Sequence, residues 1–315
     1  MGKILIMEVV HMKELANHIE QYLVICKNEK RLSKDTLKAY GTDLKQFAGF
    51  VAGREVDKEL LSLYLQFLNK KFAPRSAKRK MASIRAFFHE LEYREELKDN
   101  PFDKLRVRMQ MPKQLPRIIP EESVKAILQK AYSLYRVKKD QWILRDIVVL
   151  ELLFSTGIRV SELCKLTPDS LTISDNEVCL LISGKGNKER ILKIRAPGLV
   201  TVVDRYMAEF EADIFSIGFT LVNRNHHPLA AQSVRRIIRE YAELACVEQH
   251  ITPHMFRHTF ATSLLEAGVN IRYIQSLLGH SSISTTQIYT YVSTQRQTDL
   301  LSEKHPRGRM TFELE

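Results

Sequence analysis

Arg108-Met-Gln-Met-Pro-Lys-Gln-Leu-Pro-Arg-Ile-Ile-Pro120 is the stretch on which the organisation of this chain turns. Pro112, Pro116 and Pro120 recur at every fourth position. Each removes a backbone donor and clashes with the preceding turn, so the segment is expected to run as an extended strap rather than a helix. It falls about one third of the way along 315 residues, a length comfortable for two domains. The expected division is 1–107, a strap over 108–120, and 121–315.

On the N-terminal side of the strap, apolar residues recur at helical spacing four times. Leu15, Ile19, Tyr22, Leu23 and Cys26 mark a first helix. A second, with Ser33 placed to cap it, carries Leu37, Tyr40, Leu44 and Phe47. Asp57 precedes a third with Leu60, Tyr64, Phe67 and Leu68. The fourth has a stripe of Ala77, Met81, Ile84, Phe88 and Leu91, with Arg75, Lys78, Arg79 and Arg85 on its other faces. A helix with one apolar face and one basic face can pack on its own domain while offering cations to DNA phosphates.

On the C-terminal side, Glu121–Arg136 and Trp142–Ser155 read as helices, with Gly157 as C-cap of the second. Val178, Leu180 and Ile182, then Ile191 and Ile194 beyond a turn at Gly184-Lys-Gly-Asn187, read as a β-hairpin with a basic tip. From Pro197 to about Leu301 the pattern is mostly helical. The fold class expected is mainly α with a small antiparallel β-sheet, in two domains.

Hydrophobic residues make up 44% of the chain, enough for real cores, and the formal net charge is +11 with a pI of about 9.4. That excess favours a polyanionic partner, because neutralising phosphates with Lys and Arg releases condensed counterions. Cys26, Cys164, Cys179 and Cys246 form no close pair, which suits reduced thiols better than a disulfide frame or zinc site. The apolar run Ile4-Leu-Ile-Met7 is broken by Glu8 and is too short for a span. A soluble, cytoplasmic protein with no membrane association is the expectation.

Four segments concentrate reactive side chains: Thr156-Gly-Ile-Arg-Val-Ser-Glu-Leu163, Gly184-Lys-Gly-Asn-Lys-Glu-Arg190, His254-Met-Phe-Arg-His258, and Leu277-Leu-Gly-His-Ser-Ser282 followed by Thr285-Thr-Gln-Ile-Tyr289. Singly, each has a plainer account: a surface arginine, a hairpin turn, core histidines, a packing tyrosine. His254 and His258 could hold a metal, but Met255 stands where a metalloprotease helix needs Glu, and no cysteine pair completes a tetrahedron. Read as a base beside a fixed cation, His254 and Arg257 share a helix face. Together the segments supply what phosphoryl transfer without a metal needs. Two guanidinium groups can clamp the non-bridging oxygens, and other groups can take a proton from the nucleophile and give one to the leaving oxygen.

In this ordered set the chain resembles the tyrosine recombinases of the phage-integrase family, most nearly bacterial Xer recombinases and mobile-element integrases. The resemblance spans nearly the whole chain, with the four-helix region and strap similar to the family's core-binding domain and linker. It implies a site-specific recombinase that cleaves and rejoins DNA through a 3′-phosphotyrosyl intermediate, in integration, excision or resolution, with no metal and no ATP. By position, Arg159 and Arg257 would bind the scissile phosphate, with Glu162 supporting Arg159 from behind. Lys185, or its neighbour Lys188, would protonate the leaving 5′ oxygen. His254 would manage the nucleophile's proton, His280 would hydrogen-bond the phosphate, and Tyr289 would attack. Family members of this type commonly carry His two residues after the tyrosine; here Tyr291 stands there, a second candidate nucleophile that the Thr-Thr-x-x-Tyr spacing disfavours. The implied partner is double-stranded DNA with paired sites, gripped by a C-shaped clamp and leaving room for accessory DNA-binding proteins. The implied assembly is a tetramer, linked by C-terminal segments around Ser293–Leu301 with Leu300 and Leu301 as anchors. A type IB topoisomerase would share the chemistry, but the four-helix domain and motif wording favour a recombinase; an intact catalytic set argues against a non-catalytic DNA-binding regulator.

Overall fold

A computed structural model describes residues 12–103, 105, 116–174, 176–184 and 189–279, with side chains from Leu15 onward. Most of the strap, the hairpin tip with Lys185 and Lys188, and everything from His280 on, including Tyr289, Tyr291, Leu300 and Leu301, lie outside the described residues. The chain divides into two compact units, Met1–Lys113 and Gln114–Glu315.

The first unit is built of α1 (Met12–Asn28), α2 (Lys34–Val51), α3 (Lys58–Lys71) and α4 (Pro74–Tyr93). The caps are local chemistry. Ser33 Oγ accepts from the Thr36 N–H at 3.2 Å, Asp57 from the Leu60 N–H at 2.7 Å, and Pro74 starts α4 where its missing donor costs nothing. The four apolar stripes meet in a core centred on aromatic rings, Phe47 standing edge-on to Tyr64 and Phe88, and Phe87 edge-on to Tyr22.

A knot of charge is buried beside this core. Asp43, fully buried, accepts from Lys80 Nζ, Ser83 Oγ and Arg79 Nη2, each at 3.0 Å, and also pairs with Arg79 Nη1. A carboxylate removed from water must be matched in this way, because an unpaired buried charge is far costlier than the pair. The knot alters the picture of the basic face on α4. Arg75, Lys78, Arg79 and Arg85 are all exposed, but Arg79 is already held by Asp43 and Arg85 lies over the Phe102 ring at 5.4 Å.

The second unit opens on α5 (Glu121–Lys138) and α6 (Gln141–Thr156), followed by the one-turn α7 (Val160–Leu163). The sheet is three-stranded, β1 (Leu171–Ser174), β2 (Glu177–Ser183) and β3 (Glu189–Ile194), all antiparallel in the order β1-β2-β3. Then come α8 (Pro197–Glu209), α9 (Glu211–Ile217), α10 (Ala231–Leu244), α11 (Pro253–Glu266) and α12 (Ile271–Leu278). Helix α6 is the axis: nearly apolar all round, it packs on α5, α8 and α11. Its two buried charges, Arg145 and Asp146, pair with each other at 2.7 Å.

Two sequence expectations need correction here. The sheet has a third strand, β1, that the hairpin pattern did not include. The inward residue of β3 is Leu192, opposite Leu180, while Ile191 is 60% exposed. Ile191 and Ile194 are three apart, so a period of two cannot bury both.

The end of the strap is built into this unit. Ile119 is buried, its N–H donates to Thr259 Oγ1 on α11 at 2.8 Å, and Gln249 Nε2 donates to the Ile118 carbonyl at 3.2 Å. Thr259→Val keeps the shape but strands a buried N–H, which costs about 1–3 kcal/mol. Denaturant unfolding of Thr259→Val should show that loss and Thr259→Ser should recover most of it; equal stability of Val and Thr at this position would show that the contact contributes nothing.

Candidate active site

The site begins where α6 stops. Gly157 takes φ 58° and ψ 22°, the left-handed conformation that glycine adopts without penalty, and its N–H closes on the Leu153 carbonyl at 3.2 Å. A Cβ here would come within 2.6 Å of the Phe260 ring, so the turn requires glycine for space as well as for conformation. The turn throws Arg159 into an extended conformation as N-cap of α7. Glu162, three residues on, reaches back to the Arg159 N–H at 3.0 Å and to its guanidinium at 2.7 Å. Backbone and side chain of Arg159 are thus fixed by one carboxylate.

Arg257 arrives from the first turns of α11 and is only 3% exposed. Its Nη1 donates to the Gly157 carbonyl at 2.8 Å and its Nη2 to the Leu278 carbonyl. Arg159 reaches the same carbonyl through Nη1 at 3.4 Å, and the Gly279 carbonyl through Nη2 at 3.4 Å. The last carbonyls of α12 have no partners within the helix and carry the negative end of its dipole, so they are natural seats for cations. Two guanidiniums from distant parts of the sequence are brought to one point by a helix terminus. The Arg159 side chain keeps 33% of its surface in solvent, open to an anion.

His254 lies one turn before Arg257's level on α11 and is accessible to solvent. Partial desolvation, then the positive charges of Arg257, Arg159 and Arg235, hold its pKa below the usual imidazole value. It is therefore neutral at physiological pH and able to accept a proton. His258 stacks on it with ring centroids 6.4 Å apart, and burial followed by the charges of His254 and Arg257 pushes its pKa down to about 4. Among the described residues no three His, Cys, Asp or Glu side chains converge as metal ligands.

The structure therefore brings together Arg159, Glu162, His254 and Arg257; Lys185, His280 and Tyr289 lie outside the described residues. It also adds two arginines that sequence reasoning missed. Arg190, on β3, donates to Glu162 through Nη2 at 2.8 Å and to the Leu277 carbonyl through Nε at 2.7 Å. Its signal was its place in the strand: it pairs with buried Ile182, so an arginine occupies an inward position. Arg235, exposed on α10, acts on both His254 and Cys164. Nothing in its own sequence neighbourhood separates it from Arg236 and Arg239.

The model of the phage integrase family matches residues 117–296, and that of the phage integrase N-terminal SAM-like domain matches residues 19–95. A tyrosine recombinase of Agathobacter rectalis is 45% identical over 308 residues, covering 96% of this chain and 100% of that protein. Tyrosine recombinase XerD of Halalkalibacterium halodurans is 36% identical over 311 residues, covering 94% and 100%. The fold matches that of the XerH site-specific recombinase bound to a palindromic difH substrate in a post-cleavage complex, with a TM-score of 0.75 at 19% identity over 92% of this chain and 88% of that one.

Proposed function

The chain belongs to the phage integrase family as a tyrosine recombinase of the Xer type, and we propose that Arg159, Lys185, His254, Arg257, His280 and Tyr289 carry its chemistry. It is a site-specific recombinase that cleaves and rejoins DNA strands. The observation that carries the residue assignment is the meeting of Arg159 and Arg257 at the Leu278 carbonyl, immediately before Gly279 and His280 in the chain.

In the proposed step, both guanidiniums bind the non-bridging oxygens of the scissile phosphate, where charge grows in the transition state. The Tyr289 hydroxyl gives its proton to His254 as its oxygen bonds to phosphorus. The bond from phosphorus to the 5′ oxygen breaks, and Lys185 protonates that oxygen. The products are a 3′-phosphotyrosyl strand and a free 5′ hydroxyl. Rejoining runs the same steps backward with a 5′ hydroxyl from the partner duplex. The phosphodiester is conserved as an ester throughout, so the balance requires no ATP.

The first unit would grip duplex DNA through Arg75, Lys78 and Arg85 on α4, all exposed, with Arg79 set by Asp43. Assembly on paired sites would use the C-terminal segment, with a homotetramer as the working form. No helix among the described residues is long and apolar enough to cross a membrane; action on DNA supports a cytoplasmic location.

The test is a supercoiled plasmid carrying two copies of the cognate site, incubated in EDTA without nucleotide. Recombinant products and protein linked to 3′ ends are expected; relaxation alone, or protein on 5′ ends, would overturn the reading. Assembly has its own test. Replacing Leu300 and Leu301 with Ser removes apolar contact worth roughly a few kcal/mol at each interface. Half-site binding by one protomer should persist while higher complexes on native gels, and recombination with them, collapse. Normal higher complexes and normal recombination from the double variant would dismiss the docking role.

A further inference from the structure

One arginine outside the proposed catalytic set bridges the loop of Arg159 and the end of α12. Arg190 stands on β3 just beyond the hairpin tip that contains Lys185, with its side chain 11% exposed. It meets Glu162 through two nitrogens, Nη2 at 2.8 Å and Nη1 at 3.3 Å, and the Leu277 carbonyl through Nε at 2.7 Å. Gly279 lies directly against it: a Cβ there, where φ is already 64°, would come within 2.9 Å of Arg190 Nη1.

Each of these partners has a second task. Glu162 is the carboxylate that fixes Arg159 by backbone and side chain. The residues after Leu277, Leu278 and Gly279, offer the carbonyls on which Arg159 and Arg257 rest. Arg190 therefore joins the loop bearing one phosphate-binding arginine to the helix end supporting both. Without it, Glu162 would be a buried carboxylate with one cation, free to swing wholly toward Arg159 or to take up a proton. Burial acts to raise the Glu162 pKa, and hydrogen bonds from Arg190 and then from the Arg159 backbone outweigh it and leave the group ionised. The planar guanidinium is suited to this: it spans two acceptors on Glu162 and a third at a right place on α12, which a lysine ammonium on a flexible stem cannot do.

We propose that Arg190 is a positioning residue for recombination: through Glu162 and the end of α12 it sets the Arg159 guanidinium at the angle that the scissile phosphate requires. This rests on the assignment of Arg159 to that phosphate. Because misplacing a reacting group by about an ångström can cost ~10²-fold in rate, Arg190→Gln should slow single-turnover cleavage by that order while half-site binding is kept.

A double-mutant cycle on a nicked suicide substrate tests the coupling. If Arg190 works through Arg159, then the variant carrying both Arg159→Ala and Arg190→Gln cleaves no more slowly than Arg159→Ala alone. A scissile methylphosphonate adds a readout that general loosening of the fold would not move. It carries no charge for Arg159 to neutralise, so Arg159→Ala and Arg190→Gln should both recover much of their loss on it. Arg190→Lys, which keeps a cation beside Glu162 but not the fork, should fall between Gln and wild type, and it serves in place of Arg190→Gln if that variant fails to bind a half-site. Losses that multiply in the double variant, or a defect that persists unchanged on the methylphosphonate, would overturn the proposal. Cleavage by Arg159→Ala at the wild-type rate would overturn the phosphate assignment beneath it instead.

Discussion

Tyr289→Phe should leave no covalent protein on a nicked suicide substrate while binding the same DNA with unchanged affinity. A single oxygen is removed, a minimal change of shape, yet on the proposed assignment that oxygen is the atom which must bond to phosphorus. Losing one member of a set that acts as a unit typically costs several orders of magnitude; a fall of ~10⁴-fold or more, below detection on a gel, is expected. If phosphate contacts from the basic faces set affinity, as proposed, the uncharged Tyr289 hydroxyl contributes none of it, and binding and cleavage should separate cleanly. Tyr291 is the control. Tyr291→Phe should form the adduct as wild type does. Adduct retained in Tyr289→Phe and lost in Tyr291→Phe would move the nucleophile two residues along.

The parts of the molecule legible in the sequence were those written in local chemistry. Ser33, Asp57 and Gly157 announced helix ends because a cap is a matter of two or three neighbouring residues. Arg159, His254 and Arg257 were legible because they sit in short motifs whose order matches a known family, and the structure brings the three to one locality. What escaped was chemistry between distant segments. Asp43 lies 36 residues from Arg79 and 40 from Ser83. No periodicity marks it as the carboxylate that would take two of the five cations on α4, Arg79 and Lys80. Thr259, 140 residues from Ile119, reads as an ordinary helix residue until the strap is seen to end on it. Strand β1 is four residues long, too short for alternation to declare itself beside its neighbours.

Arg190 is the instructive case, because it stood inside a segment already singled out. Its role depends on the phase of β3, and Ile191 suggested the opposite phase. With Leu192 and Leu180 opposed in the core, Arg190 must point inward next to Ile182, and an inward arginine has to find acceptors. Glu162 and the Leu277 carbonyl are those acceptors. The carbonyls that end α12 thus collect Arg159, Arg190 and Arg257 from three separate elements. A helix C-terminus here does what a metal ion does elsewhere, with the sign of the charge reversed: it gathers and orients the side chains around it.

A sulfur substitution should isolate the role of Lys185 from that of the arginines. The leaving 5′ alkoxide is a strong base and needs a proton as it departs, which a positioned general acid supplies for about 10²–10⁴-fold in rate. Lys185→Ala should therefore cleave an ordinary phosphodiester slower by that amount. With sulfur in place of the bridging 5′ oxygen, the leaving group is a thiolate whose conjugate acid has a pKa near ~8.5, so it departs unprotonated. Lys185→Ala should then approach the wild-type rate. Arg159→Ala should not, since the charge on the non-bridging oxygens still grows as phosphorus becomes five-coordinate, and the missing guanidinium is missed as much as before. The contrast removes the ambiguity of a simple loss of activity, because a misfolded or weakly binding variant would fail on both substrates. Lys188→Ala is the internal comparison: full activity on the ordinary ester is expected, and rescue by sulfur confined to Lys188→Ala would transfer the proton donor three residues along the hairpin. Equal rescue of Lys185→Ala and Arg159→Ala would show that the lysine is not the acid.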